Sequence, residues 1–322
     1  MTPLYPLKFV PELHTMVWGG EKIAPFKGIE TEQEKIGESW ELSGVEGHLS
    51  IVAEGPLKGR SISSLAEEYG ASLLGSKVQG TEFPLLIKFI DARSDLSIQV
   101  HPDDRMAARV HGPGKKGKTE MWYVVSAEPG AFLLSGLKEQ ITPEEYVRLV
   151  ESNRITDVLA RHSVREGDVF FLPAGRIHAI GAGSFIAEIQ QTSDFTYRIW
   201  DYGRMGLDGK PRQLHTDLAK EAIDYKVYPE YRTAYERASN KEVELVSCPY
   251  FTTSLYEVDG SVGRDLSGLD SFLVVICVEG SGELNVPGCG RVSIRRGETV
   301  LVPACASEVT FEGHLKLITS HL

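Results

Sequence analysis

Three stretches of this 322-residue chain carry side chains whose types and spacing suit metal chemistry. In Ser97-Ile98-Gln99-Val100-His101-Pro102-Asp103-Asp104 and in Lys118-Thr119-Glu120, residues two apart share one face of an extended strand. Ser97, Gln99 and His101 therefore point together, as do Lys118 and Glu120. The third stretch runs from Gly167 to His178 with the form G-(x)5-P-x-G-(x)2-H. Its Pro173 and Gly175 shape a turn that delivers His178 from a strand end. Gln99, His101, Glu120 and His178 together offer two imidazoles, one carboxylate and one amide oxygen. Such a set suits one divalent metal ion of borderline character, Zn2+ first, with Mn2+, Co2+ or Fe2+ after it. A single carboxylate leaves the site net positive and able to polarise a substrate oxygen. A lone strand histidine is ordinarily a surface or core residue, and Glu120 alone reads equally as a solvated strand charge. It is the order and parity of the four that favour ligation. The remaining histidines (His14, His48, His111, His162, His215, His314 and His321) read as structural or surface residues.

The elements that must position these groups are mainly strands. Short β-like runs cover Leu85–Ile90, Met121–Val125, Val169–Leu172, Phe185–Gln190, Phe272–Val278, Thr299–Val302 and Leu315–Ile318, many of them punctuated by Gly, Pro, Asn or Asp. This pattern fits a sandwich or barrel. Helical signals are fewer. Thr142-Pro143-Glu144-Glu145 reads as a capping box that opens a helix to about Val150, and Ser64–Tyr69 and Asp217–Tyr225 read as further helices. Gly167-Asp168-Val169-Phe170-Phe171-Leu172-Pro173-Ala174 resembles Gly297-Glu298-Thr299-Val300-Leu301-Val302-Pro303-Ala304, which points to two copies of one barrel unit. The second copy has Cys305 and Glu308 where the first has Gly175 and His178, so it reads as a structural barrel. The polar stretch Tyr228–Lys241 reads as the linker. The expected division is a metal-binding domain over residues 1–235 and a degenerate β domain over residues 236–322.

The bulk numbers set limits. A net charge of −11 argues against general nucleic-acid binding and means that an anionic substrate needs a local basic cluster. The longest apolar run, Phe272 to Val278, is too short for a membrane helix. The residues from Met1 to Pro6 show no signal-peptide pattern, so a cytoplasmic location is expected. Cys248, Cys277, Cys289 and Cys305 form no C-x-x-C pair and read as free, mostly buried thiols.

The Gly167–His178 string resembles the second characteristic motif of the cupin superfamily, although Ala182 stands where cupins usually carry Asn. A closer resemblance follows. Leu85-Leu86-Ile87-Lys88-Phe89-Ile90-Asp91-Ala92, then Leu96-Ser97-Ile98-Gln99-Val100-His101-Pro102-Asp103, looks like the signature block of the type I mannose-6-phosphate isomerases. Lys118-x-Glu120-Met121-Trp122-Tyr123, the Pro173–His178 turn, Glu188 and Thr196-Tyr197-Arg198 continue it in family order. Val17-Trp18-Gly19-Gly20 and Gly37-Glu38-Ser39-Trp40-Glu41 fit near the N-terminus. The resemblance implies a mainly β fold of two cupin-type, jelly-roll-like barrels with a few helices. It also implies one catalytic Zn2+ and interconversion of mannose 6-phosphate and fructose 6-phosphate through a cis-enediol. By position, Gln99, His101, Glu120 and His178 match the family's metal ligands, and Arg198 matches its catalytic arginine. Glu188 and Lys118 are the candidates for proton handling, with the choice between them open. Lys88, Ser97 and Arg204 are expected at the phosphate. Trp18 joins the substrate-binding set, although it and Trp40 read equally as core. The expected partner is a hexose 6-phosphate, and the expected assembly a monomer or homodimer.

Other readings compete. A cupin oxygenase would use Fe2+ and O2, against which Gln99 and the basic residues count. A regulatory cupin could bind the sugar phosphate without turnover. A cupin-type glucose-6-phosphate isomerase typically carries H-x-H where this chain has Gln99-x-His101.

Overall fold

Strands Leu85–Asp91, Glu120–Ala127 and Ser184–Gln191 are buried along almost their whole length, and this explains why they read as continuous rather than alternating apolar runs. A computed structural model describes residues 2–322 and places these strands at the centre of a seven-stranded antiparallel sheet. One face of that sheet carries Leu85, Ile87, Phe89, Met121, Tyr123, Phe185, Ala187 and Ile189 into the largest hydrophobic core. The other face carries Ile90, Trp122, Val124 and Ile186 into a separate core shared with Leu133 and Ile180. Leu133 and Ile180 belong to a five-stranded sheet built from Ile98–Val100, Phe132–Leu137, Leu159–Ser163, His178–Ile180 and Tyr197–Trp200. The two sheets face each other as an open jelly-roll sandwich, the cupin arrangement expected from the sequence.

A second seven-stranded sheet coils around its own core at the C-terminal end. Its long strands, Thr252–Asp265, Leu273–Val286 and Glu308–His321, pair along most of their length. The repeated octapeptides occupy equivalent places. In each, a glycine with positive φ, Gly167 at 86° and Gly297 at 83°, turns the chain into a short strand, Val169–Leu172 or Thr299–Val302. The N-terminus crosses the expected division, because Leu7–Lys8 pairs with Thr299–Val302 in the C-terminal sheet.

The capping box at Thr142 is present and opens helix Pro143–Glu151. The other two expected helices run over Ile62–Tyr69 and Thr216–Ala222. The sequence reading passed over helix Asp104–His111, which the Asp103 side chain caps by accepting from the Met106 amide. The Tyr228–Lys241 stretch is packed against the sandwich rather than loose, with the Tyr231 hydroxyl donating to the Leu137 carbonyl at 2.7 Å. All four cysteines are free, but only Cys277 is buried, against the expectation of mostly buried thiols. Among the described residues no helix is long and apolar enough to cross a membrane.

Candidate metal centre

Two rows of side chains face each other across the sandwich. On the seven-stranded sheet, cross-strand pairing aligns Trp40, Lys88, Glu188 and Trp122. On the five-stranded sheet it aligns Arg198, Gln99 and His178. His101 follows the end of strand Ile98–Val100, and Glu120 opens strand Glu120–Ala127 on the opposite sheet. The four residues expected to ligate metal therefore converge from both sheets.

Their distances suit a common centre. His101 Nε2 lies 3.4 Å from Glu120 Oε2, and His178 Nε2 lies 3.3 Å from Glu120 Oε1. The Gln99 amide is 3.3 Å from His178 Nε2, and a half-turn of that amide presents its oxygen to the same point. His101 Nδ1 sits 2.9 Å from the Phe195 carbonyl oxygen and His178 Nδ1 sits 2.8 Å from the Arg176 carbonyl oxygen. Each Nδ1–H donates to its carbonyl, which leaves the lone pair on Nε2, facing inward.

Both Glu120 oxygens and His101 Nε2 are buried without a hydrogen-bond partner. The Lys118 ammonium, 3.4 Å from Glu120 Oε2, offsets part of the cost of burying this carboxylate, and a cation at the centre of the cluster would offset the rest. Burial and the Lys118 ammonium push the His101 imidazole down to about 3, against the pull of Glu120. Burial also lowers His178, so both rings are neutral and available as ligands. Burial raises the Glu120 carboxyl, but Lys118 and His101 outweigh it and hold the group well below the usual carboxylate range. Neutral imidazoles, an ionised carboxylate and an amide oxygen fit a borderline divalent metal.

A cavity of about 210 Å3 opens over this cluster, and Trp18, Trp40, Lys88, Ser97, Gln99, Lys118, Glu188 and Arg198 all line it. Trp18 and Trp40 are thus pocket wall, a point the sequence left open. Lys88 Nζ bridges Glu38 Oε2 at 3.4 Å and Glu188 Oε1 at 3.3 Å. Burial disfavours the Lys88 charge, yet these two carboxylates overcome it and raise its pKa. Glu188 accepts from Trp122 Nε1 at 2.8 Å through Oε2, and its Oε1 has no hydrogen-bond partner. Burial and the neighbouring Glu120 raise the Glu188 carboxyl against the pull of Lys88. Lys118 Nζ pairs with Glu120 Oε2 at 3.4 Å. Arg198 donates from Nη1 to the Gln213 carbonyl at 3.0 Å, and its buried Nε is unpartnered.

Arg204 is placed differently from expectation. It does not line the cavity, and its Nη2 is held by Asp201 Oδ1 at 2.5 Å. Besides Arg198, the arginine that reaches the wall is Arg212, which also pairs with Asp201 at 3.2 Å. Sequence reasoning missed Arg212 because it lies in an irregular segment with no strand parity to orient it. Glu38 was seen only as part of a motif, and its part in the Lys88 ion chain depends on cross-strand register. A larger groove of about 460 Å3, lined by Arg105, Arg109 and Asp224, contains none of these groups.

Known proteins are similar to this chain in sequence and fold. The type I phosphomannose isomerase catalytic-domain model matches residues 7–122, and the mannose-6-phosphate isomerase cupin-domain model matches residues 241–322. The mannose-6-phosphate isomerase ManA of Bacillus subtilis is 35% identical over 319 residues, covering 98% of this chain and 99% of the relative. The crystal structure of a Bacillus subtilis mannose 6-phosphate isomerase superposes with a TM-score of 0.90 at 31% identity, covering 99% of this chain and 100% of that one. A zinc-bound holo mannose 6-phosphate isomerase shares the fold at a TM-score of 0.80 and 17% identity, over 98% of this chain and 99% of that one.

Proposed function

The chain belongs to the type I mannose-6-phosphate isomerase family, and from that premise we propose that it interconverts mannose 6-phosphate and fructose 6-phosphate through a cis-enediol, using one divalent metal ion, Zn2+ first. The observation that carries this reading is the set of buried atoms without hydrogen-bond partners, Glu120 Oε1, Glu120 Oε2 and His101 Nε2, next to Gln99 and Lys118, which line a cavity holding both cations and carboxylates. Gln99, His101, Glu120 and His178 would hold the ion, which when bound supplies a Lewis acid to polarise the sugar oxygens.

The chain's own residues do the rest. Moving a carbonyl between C2 and C1 requires one carbon-bound proton to leave and one to return to the neighbouring carbon. Glu188 takes this role: it lines the cavity, its ionised carboxylate can accept a carbon-bound proton directly, and its Oε1 is held only by the Lys88 ammonium at 3.3 Å. A carboxyl raised by burial is also suited to exchanging a proton near neutral pH. Lys118 and Arg198 donate to the oxygens on which negative charge develops. Lys88, Ser97 and Arg212 present donors toward the phosphate, with Arg204 holding Asp201 and hence the Arg212 position. Trp18 and Trp40 wall off water. The same reading places the enzyme in the cytoplasm, acting on a hexose 6-phosphate, with a domain division near residue 235.

The test is isomerisation by protein stripped of metal and then resupplied with Zn2+. Turnover should vanish on stripping and return with Zn2+. Folded, metal-loaded protein with no turnover under Zn2+, Mn2+, Co2+ or Fe2+ would sink the isomerase reading and favour a sugar-phosphate-binding regulator.

A further inference from the structure

A second group of ligand-type side chains lies on the far side of Trp40. Strands Glu12–Gly20 and Ile36–Ser43 pair with Glu12 opposite Trp40 and His14 opposite Glu38. Glu12 and His14, two apart, share a face. The loop that follows Ser43 turns through a bond from the His48 amide to the Val45 carbonyl and brings the His48 ring over them. His48 Nδ1 is 2.7 Å from Glu12 Oε1, and His14 Nε2 is 3.6 Å from that same oxygen. One ligand atom from each of the three residues lies within 4.8 Å of the other two. Sequence spacing does not couple these two histidines, because His48 arrives from a loop.

A hydrogen bond between His48 and Glu12 accounts for that pair but not for His14. His14 Nε2 is buried and has no hydrogen-bond partner, which a native structure seldom tolerates without a reason. Burial holds the His14 imidazole below its usual value, so the ring is neutral and its lone pair available. The Trp40 ring walls the group on one side, 4.6 Å from the His14 ring and 5.3 Å from that of His48. The other side is open, with 45% of the Glu12 and 42% of the His48 side chain exposed, leaving room for a water as a fourth ligand.

We propose that Glu12, His14 and His48 form a second divalent-metal site, for a borderline transition ion such as Zn2+, outside the catalytic cavity. The two sites share one wall. Trp40 donates from Nε1 to Glu38 Oε2 at 2.7 Å, and Lys88 Nζ lies 4.9 Å from the centre of its ring on the cavity side. The outer site is the weaker of the two, having three protein ligands, two of them half-exposed.

The test counts zinc per chain in protein equilibrated at a series of buffered free Zn2+ concentrations up to the micromolar range. Wild-type protein should hold one equivalent more than His48→Ala, whose substitution falls on a half-exposed loop side chain, and Glu12→Gln should lose the same equivalent. Loss of groups that merely orient metal ligands already weakens binding roughly 10–100-fold, so loss of a ligand itself should weaken it at least tenfold. His101→Ala should lose the other equivalent, which separates this site from the catalytic one. Equal zinc content in wild-type, His48→Ala and Glu12→Gln protein at every concentration would overturn the proposal.

Discussion

Replacing Glu188 by Gln tests the proton-transfer assignment with little disturbance to the fold. The substitution keeps the shape and can keep the bond from Trp122 Nε1, now 2.8 Å from Oε2. Lys88 loses one carboxylate but retains Glu38 at 3.4 Å, so no buried cation is stranded. The chain also no longer has to bury the Glu188 charge, and the melting temperature should stay close to wild type. Activity should not. A positioned general base contributes about 10²–10⁴-fold, or about 3–5.5 kcal/mol at 1.36 kcal/mol per decade. Ser97 and Arg212 keep their places at the phosphate and Lys88 keeps Glu38, so the loss should fall mainly on kcat, with KM changing less. The assay is coupled conversion of mannose 6-phosphate, on protein of measured metal content, with solvent-deuterium incorporation into substrate as a second readout. If metal-loaded Glu188→Gln protein keeps kcat within about threefold of wild type, far short of the expected loss, the assignment is wrong. Lys118→Met should then carry the deficit instead.

Two further outcomes follow from buried charges. Lys27 Nζ contacts Glu41 Oε1 at 2.7 Å, Glu41 Oε2 at 2.6 Å and the Gly297 carbonyl at 2.6 Å, with both side chains about 5% exposed or less. Lys27→Met strands the Glu41 charge and should destabilise the fold by about 3–5 kcal/mol in urea unfolding, without altering kcat of the folded enzyme; an unchanged midpoint would refute this. His101 is held down to about 3 and His178 is also lowered, so between about 6.5 and that value the unfolded chain binds protons that the native state does not. Stability should therefore fall as pH drops from about 6.5, and a urea midpoint that stays flat between neutral pH and mildly acidic pH would contradict it.

Parity made most of the metal cluster legible. Gln99 and His101 two apart, Glu120 opening a strand and His178 after a Pro-Gly turn needed only strand geometry to be read as convergent. Residues placed by cross-strand register or by loops were not legible in this way. Glu38 reaches Lys88 because strand Ile36–Ser43 pairs beside Leu85–Asp91 in a bulged register. Arg212 reaches the cavity wall from an irregular segment, while Arg204, closer in sequence to the Thr196-Tyr197-Arg198 run, turns to Asp201. Helix Asp104–His111 was hidden for another reason. Its cap, Asp103, sits inside the Gln99–Asp104 stretch that carries the metal-type residues, so the capping signal overlaps the site motif.

The C-terminal sheet, which lacks counterparts of Gln99, His101, Glu120 and His178, has a physical role in the site nonetheless. The central sheet carries its charges, Lys88, Glu120 and Glu188, at alternate positions on one face, and the intervening residues are large and apolar. Exposed to water, that second face would be an apolar patch beyond what a soluble surface ordinarily carries. Val274, Ile276, Leu301 and Ile318 of the C-terminal sheet cover it in a single continuous core. Polar ties fasten the two units along the same seam: Lys27 reaches the Gly297 carbonyl, and Lys8 pairs with Glu298 at 2.9 Å. Both anchors lie in the Gly-acid turn, Gly297-Glu298, whose counterpart Gly167-Asp168 precedes the strand leading to His178. The turn that leads toward His178 in the first copy thus serves, in the second, to fix the back of the sheet on which the buried charges are held.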